Sequence, residues 1–459
     1  MLKQKSIDYS LLLILLLLYT FLGFVVKRHD TFSLLSAYFA VFIIYIYISL
    51  RSGDDNVNFW CYASILFRAV LLFSVPNLSD DFYRFIWDGR LLASGHHPFA
   101  EVPAFYIKHN ISVPGIDEEL FLKLNSPDYF TVYPPLAQFI FWLSVKLSPQ
   151  SICGSLLVMK SIILVAEIGS LLVIKKLLAH FKFAQKRVLL YALNPLIILE
   201  FTGNIHLEAL VIFFLLFSIL LLYHQKLLFS GIVFSLAICV KLIPLIFLPA
   251  LFPRLGWKKA LQFYIIVGAT CIVFFLPFWD KEIIFGFQNS LAYYFKKFEF
   301  NASIYYLVRE WGHWYYGYNI IQTAGWVLGV IGFLIIVIIS VVLHPGLMPK
   351  SNGQSITDQR LSSMDYRLFI TLTLILLTYF LFTTTLHPWY ITTLLALSIF
   401  TEFRFAILWT ALIFLTYAGY SINGFIENLW LTTIEYISVL GYLAYELLWK
   451  RRYSFSQVS

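Results

Sequence analysis

Residues 78–98 read LSDDFYRFIWDGRLLASGHHP, a polar cluster in a chain that is membrane-like on both sides of it. A segment carrying Asp80, Asp81, Arg84, Asp88, Arg90, His96 and His97 has to lie where water or a charged substrate meets it. Read as a helix, it sets Phe82, Phe85, Ile86, Gly89 and Ala93 along one side and most of the acids and arginines elsewhere, the pattern of a helix on a membrane surface. Ser79 is a reasonable N-cap. Asp80 and Asp81 then fall in the first turn, where free N–H groups and the helix dipole favour ionised carboxylates. Asp81, Arg84 and Asp88 are spaced so that the arginine can orient one carboxylate while another stays free. Taken alone, the stretch reads equally well as a solvated, salt-bridged interfacial helix.

Composition sets the surroundings. The 459 residues are 60% hydrophobic, 19% aromatic and only 13% charged, with a mean hydropathy of +0.79. Soluble domains carry about 25% charged residues, so this is an all-α polytopic membrane protein with the lipid bilayer as its solvent. The net charge of +8 comes from short Lys/Arg clusters between apolar runs, which speaks to orientation and not to nucleic acid. Cys61, Cys153, Cys239 and Cys271 show no paired or metal-ligand spacing and read as buried thiols. The first apolar run, 9–26, is long and lacks a small-residue cleavage site, so it reads as a retained membrane helix.

Apolar segments at 9–26, 32–50 and 59–75 put the long stretch 76–132 on the non-cytoplasmic side if the amino terminus is cytoplasmic. That stretch holds eight acids against four lysines and arginines and reads as an external catalytic loop carrying juxtamembrane helices. Further apolar runs bring the expected total to about 11–13 crossings in one multispanning domain, 1–459. The basic loop 175–187 breaks simple alternation. A short helix opening at Tyr133-Pro134-Pro135 and a second broken segment around Lys241 and Pro244 would restore it, since broken helices are tolerated where they line a polar cavity. The later part then has 279–319 outside, 344–365 inside, His387 to Tyr390 outside and Lys450, Arg451 and Arg452 inside.

Charged groups inside apolar runs are functional suspects until they find partners. In NPLIILEFTGNIHLEAL, Asn194-Pro195 starts a helix and Gly203-Asn204 breaks it, so a turn there would face Glu200, His206 and Glu208 to the external side. A metal site from these three is disfavoured by the adjacent-but-one placement of His206 and Glu208. Glu167 and Lys241 invite pairing with each other. His387 opens a helix with Pro388 at the interface, where a capping or belt histidine is as good a reading as a ligand contact. The aromatic-rich loop 279–319, with Lys296, Lys297, Arg309 and His313, suits anchoring at the headgroup level.

The order SDDFYRFIWDGRLLASGHHPF, VYPPLAQ, NPLIILEFTGNIHLEA, VKLIPLIFLP and LHPWY, over 78–390, resembles the C-type glycosyltransferases, especially bacterial polyprenol-phosphate-mannose-dependent mannosyltransferases. One departure is an extra pair of amino-terminal membrane segments before the loop. The resemblance implies a membrane hexosyltransferase, mannose being the expected sugar, with an acidic residue at the start of the first large external loop as general base: Asp80 or Asp81. It implies a polyprenyl-phosphate-linked donor, a glycan, lipid or protein acceptor, inversion at C1, and an active site facing the periplasm from a bacterial inner membrane. The substrate-binding candidates are Arg84, Asp88, Arg90, His97, Tyr133, Glu200, Asn204, His206, Glu208, Lys241, Arg309, His387 and Tyr390. Lys241 and His387, with Arg309 third, are the expected partners of the lipid phosphate. No nucleotide-sugar site is needed and no cofactor is named by the pattern, although Asp80 and Asp81 also suit a divalent cation. The rival readings are a transporter or flippase of lipid-linked sugars and an envelope acyl- or phosphotransferase.

Loop charge and length place 76–132 and 279–319 on one non-cytoplasmic side. With the four native cysteines removed, Ser112→Cys and Ser303→Cys are both expected to react with an impermeant thiol reagent added outside intact cells. Protection of either until the membrane is permeabilised would refute the shared side.

Overall fold

The computed structural model describes residues 2–279, 286, 288–290, 296–343 and 367–448. The 344–365 connection and the Lys450 to Arg452 cluster expected inside the cell lie outside the described residues. The chain opens with α1 (Leu2–Phe24), α2 (Thr31–Arg51) and α3 (Val57–Leu71), with Asp30 capping α2 by accepting from the Ser33 N–H. The 76–132 stretch supplies α4 (Asp81–Ala93) and two short helices, α5 (Pro103–Lys108) and α6 (Glu118–Leu122). Then come α7 (Pro135–Leu147), α8 (Ile152–His180), α9 (Leu189–Ala192), α10 (Pro195–Ile198), α11 (Glu208–Tyr223), α12 (Leu227–Val240) and α13 (Leu248–Phe275). The rest comprises α14 (Ile304–Tyr316), α15 (Ile321–Val342), α16 (Arg367–Phe382), α17 (Ile391–Ser398), α18 (Phe405–Leu412) and α19 (Leu429–Leu448). Among the described residues the only sheet is a two-stranded hairpin, β1 (Tyr420–Ser421) with β2 (Gly424–Phe425).

This is an all-α polytopic membrane architecture. Among the described residues five helices are long and apolar enough to cross a bilayer, or six if the bent pair Pro195–Gly203 and Glu208–Tyr223 is one span. Other apolar runs form helices too short for that test, among them Pro135–Leu147, Leu227–Val240, Arg367–Phe382 and Phe405–Gly419. The breaks expected at the YPPL and KLIP motifs are both present. α7 has 13 residues, and α12 stops at Val240 with Lys241 extended before a 3₁₀ turn, Ile243–Phe247. Proline explains each, being acceptable in a first turn and unable to continue a helix from within.

Two buried cations fix where α3 ends and the chain turns into the 76–132 stretch. Arg68 of α3 pairs with Glu167 of α8 (Nε to Oε1, 2.6 Å) and donates to the Ser64 and Ala192 carbonyls, while Thr202 donates to the other Glu167 oxygen (2.7 Å). Glu167 therefore pairs with Arg68 and not, as the sequence invited, with Lys241. Lys160 of α8 donates to the carbonyls of Leu71 (2.8 Å) and Ser74 (2.6 Å) and to the Ser74 hydroxyl (3.0 Å). Charges placed this deep must be paired or hydrogen-bonded, and here they knit α3 to α8. Of the four thiols, all free, Cys61 and Cys239 are buried, but Cys153 is exposed, and Cys239 meets Cys271 across α12 and α13.

α4 does not expose a polar side to water, because the protein encloses it on both sides. Its polar residues Arg84, Asp88 and Arg90 are buried as fully as Phe82, Phe85, Ile86, Trp87 and Leu91. Gly89 makes this enclosure possible, because a Cβ there would stand 2.5 Å from the Phe141 carbonyl oxygen of α7. The two helices pack backbone to side, and the Phe85 and Phe141 rings stack at 4.5 Å beside that contact.

Gly89→Ala is expected to push α4 off α7, with a destabilisation of about 1–3 kcal/mol typical of overpacking and loss of whatever activity depends on Asp81. Gly268→Ala, where an added Cβ meets nothing within 4 Å, is the control. Thermal unfolding of the detergent-solubilised variants checks it, and equal melting would sink the packing argument.

Candidate active site

The approach to α4 is pinned from two directions. The Asn77 side chain donates to the carbonyls of Leu22 and Val26, at 2.7 Å each, tying the segment to the end of α1. From the other side, the Asn204 amide oxygen accepts from the backbone N–H groups of Asn77 (3.1 Å) and Leu78 (2.9 Å), and its Nδ2 donates to the Leu199 carbonyl (2.8 Å). Asp80, and not Ser79, occupies the N-cap position, while the Ser79 hydroxyl accepts from the Asp81 N–H at 3.2 Å.

The two adjacent aspartates have different partners. The Asp80 carboxylate takes Arg28 Nη2 at 2.7 Å, and Arg28 also donates to the Leu78 carbonyl and lies over the Tyr420 ring at 4.3 Å. Asp81 accepts from Asn125 Nδ2 at 2.7 Å through one oxygen, and its other oxygen has no hydrogen bond among the described residues. Although Asp81 keeps some contact with solvent, it lies deep in the protein mass, and burial raises its carboxyl above the ordinary aspartate value. The Asn125 hydrogen bond and the Lys241 charge oppose that rise, whereas Asp80 and Glu208 add to it.

Facing these aspartates is the broken helix. Asn194 caps α10 through its side chain, a single π turn (Leu199–Gly203) follows, and the axis bends by 113° before α11. Ile205 takes the left-handed conformation at φ 63°, an unfavourable choice for a β-branched residue and a mark of local strain. The bend gives Glu200, His206 and Glu208 separate partners. Tyr417 donates to Glu200 Oε1 at 2.6 Å, and His206 Nε2 lies 3.2 Å from Glu200 Oε2 but off the direction of a hydrogen bond. The His206 ring stacks on Trp389 at 3.6 Å, and His387 stacks on Trp389 at 4.5 Å. Glu208 receives the Lys241 ammonium, which also sits 4.9 Å above the Tyr390 ring. No group of three His, Cys, Asp or Glu side chains among the described residues is arranged to hold a metal ion.

Asp81, Glu200, His206, Glu208, Lys241, His387 and Tyr390 thus form one cluster, linked by contact or by charge. Other candidates are engaged in holding the fold. Arg84 pairs with Asp88 at 2.8 Å and donates to the Ser126 and Tyr129 carbonyls, while Thr131 and Gln138 saturate the second Asp88 oxygen. Arg90 donates to the Gly115 carbonyl. His97 meets the Phe278 carbonyl at 3.0 Å, and Tyr133 packs edge-on to Phe85 and Phe141. Arg309 is held by Glu299 and Glu310 over the Tyr306 ring. Three neighbours of the site escaped the sequence reading: Arg28, Asn125 and Tyr417. Only Arg28 left a signal, a basic Lys27-Arg28-His29 connector on the side expected to be poor in positive charge.

The fold and this polar cluster define an all-α membrane protein with a carboxylate-rich candidate site. The family model described as Alpha-(1->6)-mannopyranosyltransferase, N-terminal domain, matches residues 21–255, more than half of the chain, and the chain belongs to that family, MptA_B. It is accordingly a membrane glycosyltransferase of the mannosyl-transferring kind. No curated protein matches the chain. The matched span holds Arg28, Asp80, Asp81, Asn125, the broken helix and Lys241, whereas His387, Trp389, Tyr390, Tyr417 and Tyr420 follow it.

Asn204→Ala is expected to leave the Asn77 and Leu78 N–H groups without their acceptor and to destabilise the protein by about 1–3 kcal/mol. The drop in melting temperature should be accompanied by lost transfer activity. An unchanged melting temperature would show that the amide is not the tie described.

Proposed function

We propose that the protein transfers a mannosyl group from a polyprenyl-phosphate donor to an acceptor hydroxyl on the non-cytoplasmic face, in the manner of a C-type glycosyltransferase, with Asp81 as general base. The observation that carries the reading is the difference between the two aspartates: Asp80 is spent on Arg28, while Asp81 has one oxygen steadied by Asn125 and the other uncommitted. A raised carboxyl is the better base at neutral pH, provided it remains ionised. The acceptor oxygen attacks C1, its proton passes to Asp81, and the bond from C1 to the phosphate oxygen breaks, releasing polyprenyl phosphate. The family name supports an α-(1→6) linkage in the product, and with it a glycan acceptor.

The leaving phosphate carries up to about two negative charges and needs a cation at low dielectric. Lys241 is the fitting partner. It lies in the same electrostatic field as Asp81, is held ready by Glu208 and Tyr390, and keeps part of its side chain open. His387 borders the same face beside Trp389, whereas the carboxylates around Arg309 make it the weaker candidate. Membership of a transferase family favours this reading over the transport of lipid-linked sugars.

In membranes supplied with radiolabelled polyprenyl-phosphate mannose, Asp81→Asn is expected to reduce transfer by about a hundredfold or more, while Asp80→Asn stays within about tenfold, as suits a partly exposed ion pair. Both proteins should insert at wild-type levels. Wild-type transfer by Asp81→Asn would end the assignment.

A further inference from the structure

Arg28 is assigned nothing by the reaction as described, yet it joins three distant parts of the chain at the edge of the site. Its guanidinium binds the Asp80 carboxylate at 2.7 Å, donates to the Leu78 carbonyl at 3.2 Å and covers the Tyr420 ring at 4.3 Å. The flanking residues of the α1–α2 connector, Lys27 and His29, are exposed, and Arg28 alone of the basic triplet turns inward. Without it, two neighbouring carboxylates at one helix start would repel each other and share protons, and neither would be a defined base.

We infer that Arg28 is a positioning residue that makes Asp81, rather than Asp80, the group that receives the acceptor's proton. By pairing with Asp80 it neutralises the nearer like charge and removes that carboxylate as a competitor. By holding the Leu78 carbonyl it fixes the three-residue lead into α4 and so the direction of the Asp81 side chain. The contact with Tyr420 brings the carboxy-terminal hairpin into the same arrangement. This rests on the reading of Asp81 as the base.

The groups that act on Asp81 are Asp80 beside it, Asn125 from the external loop, Glu208 and Glu200 from the broken helix, Lys241 after α12, and Tyr420 from the hairpin. Lys123 stands over the Tyr83 ring, which feels the Asp80 charge. Arg28 reaches Asp81 through its ion pair with Asp80, and the two carry opposite charges, so removing them one at a time has opposite consequences. Loss of the cation leaves Asp80 uncompensated and makes Asp81 harder to ionise. Loss of Asp80 leaves a free cation and makes Asp81 easier to ionise.

The test is the acid limb of the pH dependence of kcat/KM for mannose transfer from a short-chain prenyl-phosphate mannose. In Arg28→Ala the limb is expected to move to higher pH by about half a unit or more, the scale of one neighbouring charge at a protein's effective dielectric. Asp80→Asn is expected to move it to lower pH, Arg28→Lys to leave it near the wild-type position, and the double variant Arg28→Ala with Asp80→Asn to bring it back. Unmoved limbs in both single variants, at normal insertion, would overturn the role. Should Arg28→Ala fail to insert, Arg28→Gln decides: a limb moved to higher pH upholds the role and an unmoved limb overturns it. Asp81→Asn in the same assay separates the two ideas. Retained transfer would remove the base itself, whereas a dead Asp81→Asn with unmoved limbs would remove only the part given to Arg28.

Discussion

One amide oxygen holds the site together. Asn204, at the break between α10 and α11, accepts two backbone N–H groups of the segment that leads into α4, so the helix bearing Asp81 is set by the same break that turns Glu200, His206 and Glu208. A continuous helix could not offer this side chain, because its backbone would be satisfied internally and would run past the site. The strained Ile205 and the π turn are the local penalty for it, and the pinned lead-in segment is what they sustain.

Charge pairing sorts the polar residues of the chain into two kinds. Arg68 with Glu167, Lys160 with its carbonyls, and Arg84 with Asp88 are saturated and enclosed, as groups removed from water must be. Asp81 and Lys241 are less complete: each has a steadying partner and some remaining access. That incompleteness separates groups available to a substrate from those committed to the fold.

Much of this was legible in the sequence. Hydropathy identified an all-α membrane protein, proline positions marked the breaks at α7 and after Lys241, and Gly203-Asn204 marked the bend. What sequence could not resolve was pairing. Glu167 and Lys241 invited pairing with each other, but the Glu167 partner Arg68 is 99 residues away in another apolar run and the Lys241 partner is 33 residues away across a bend. Helical periodicity also cannot tell a surface from a lined interior, so α4 read as interfacial until Gly89, α7 and the 126–131 segment were seen to cover its polar side.

The contact between Glu200 and Tyr417 spans 217 positions, and the Trp389 stack on His206 reaches nearly as far. Ribosomes add about 5–20 residues per second, so after Glu200 emerges its phenol partner follows only some tens of seconds later. For that interval the amino-terminal half, with its carboxylates and bent helix, must wait in the translocation machinery or at the bilayer with a polar flank uncovered. A chain truncated before Tyr417 would keep that flank permanently, presenting to the membrane quality-control proteases the kind of unpaired polar surface they remove.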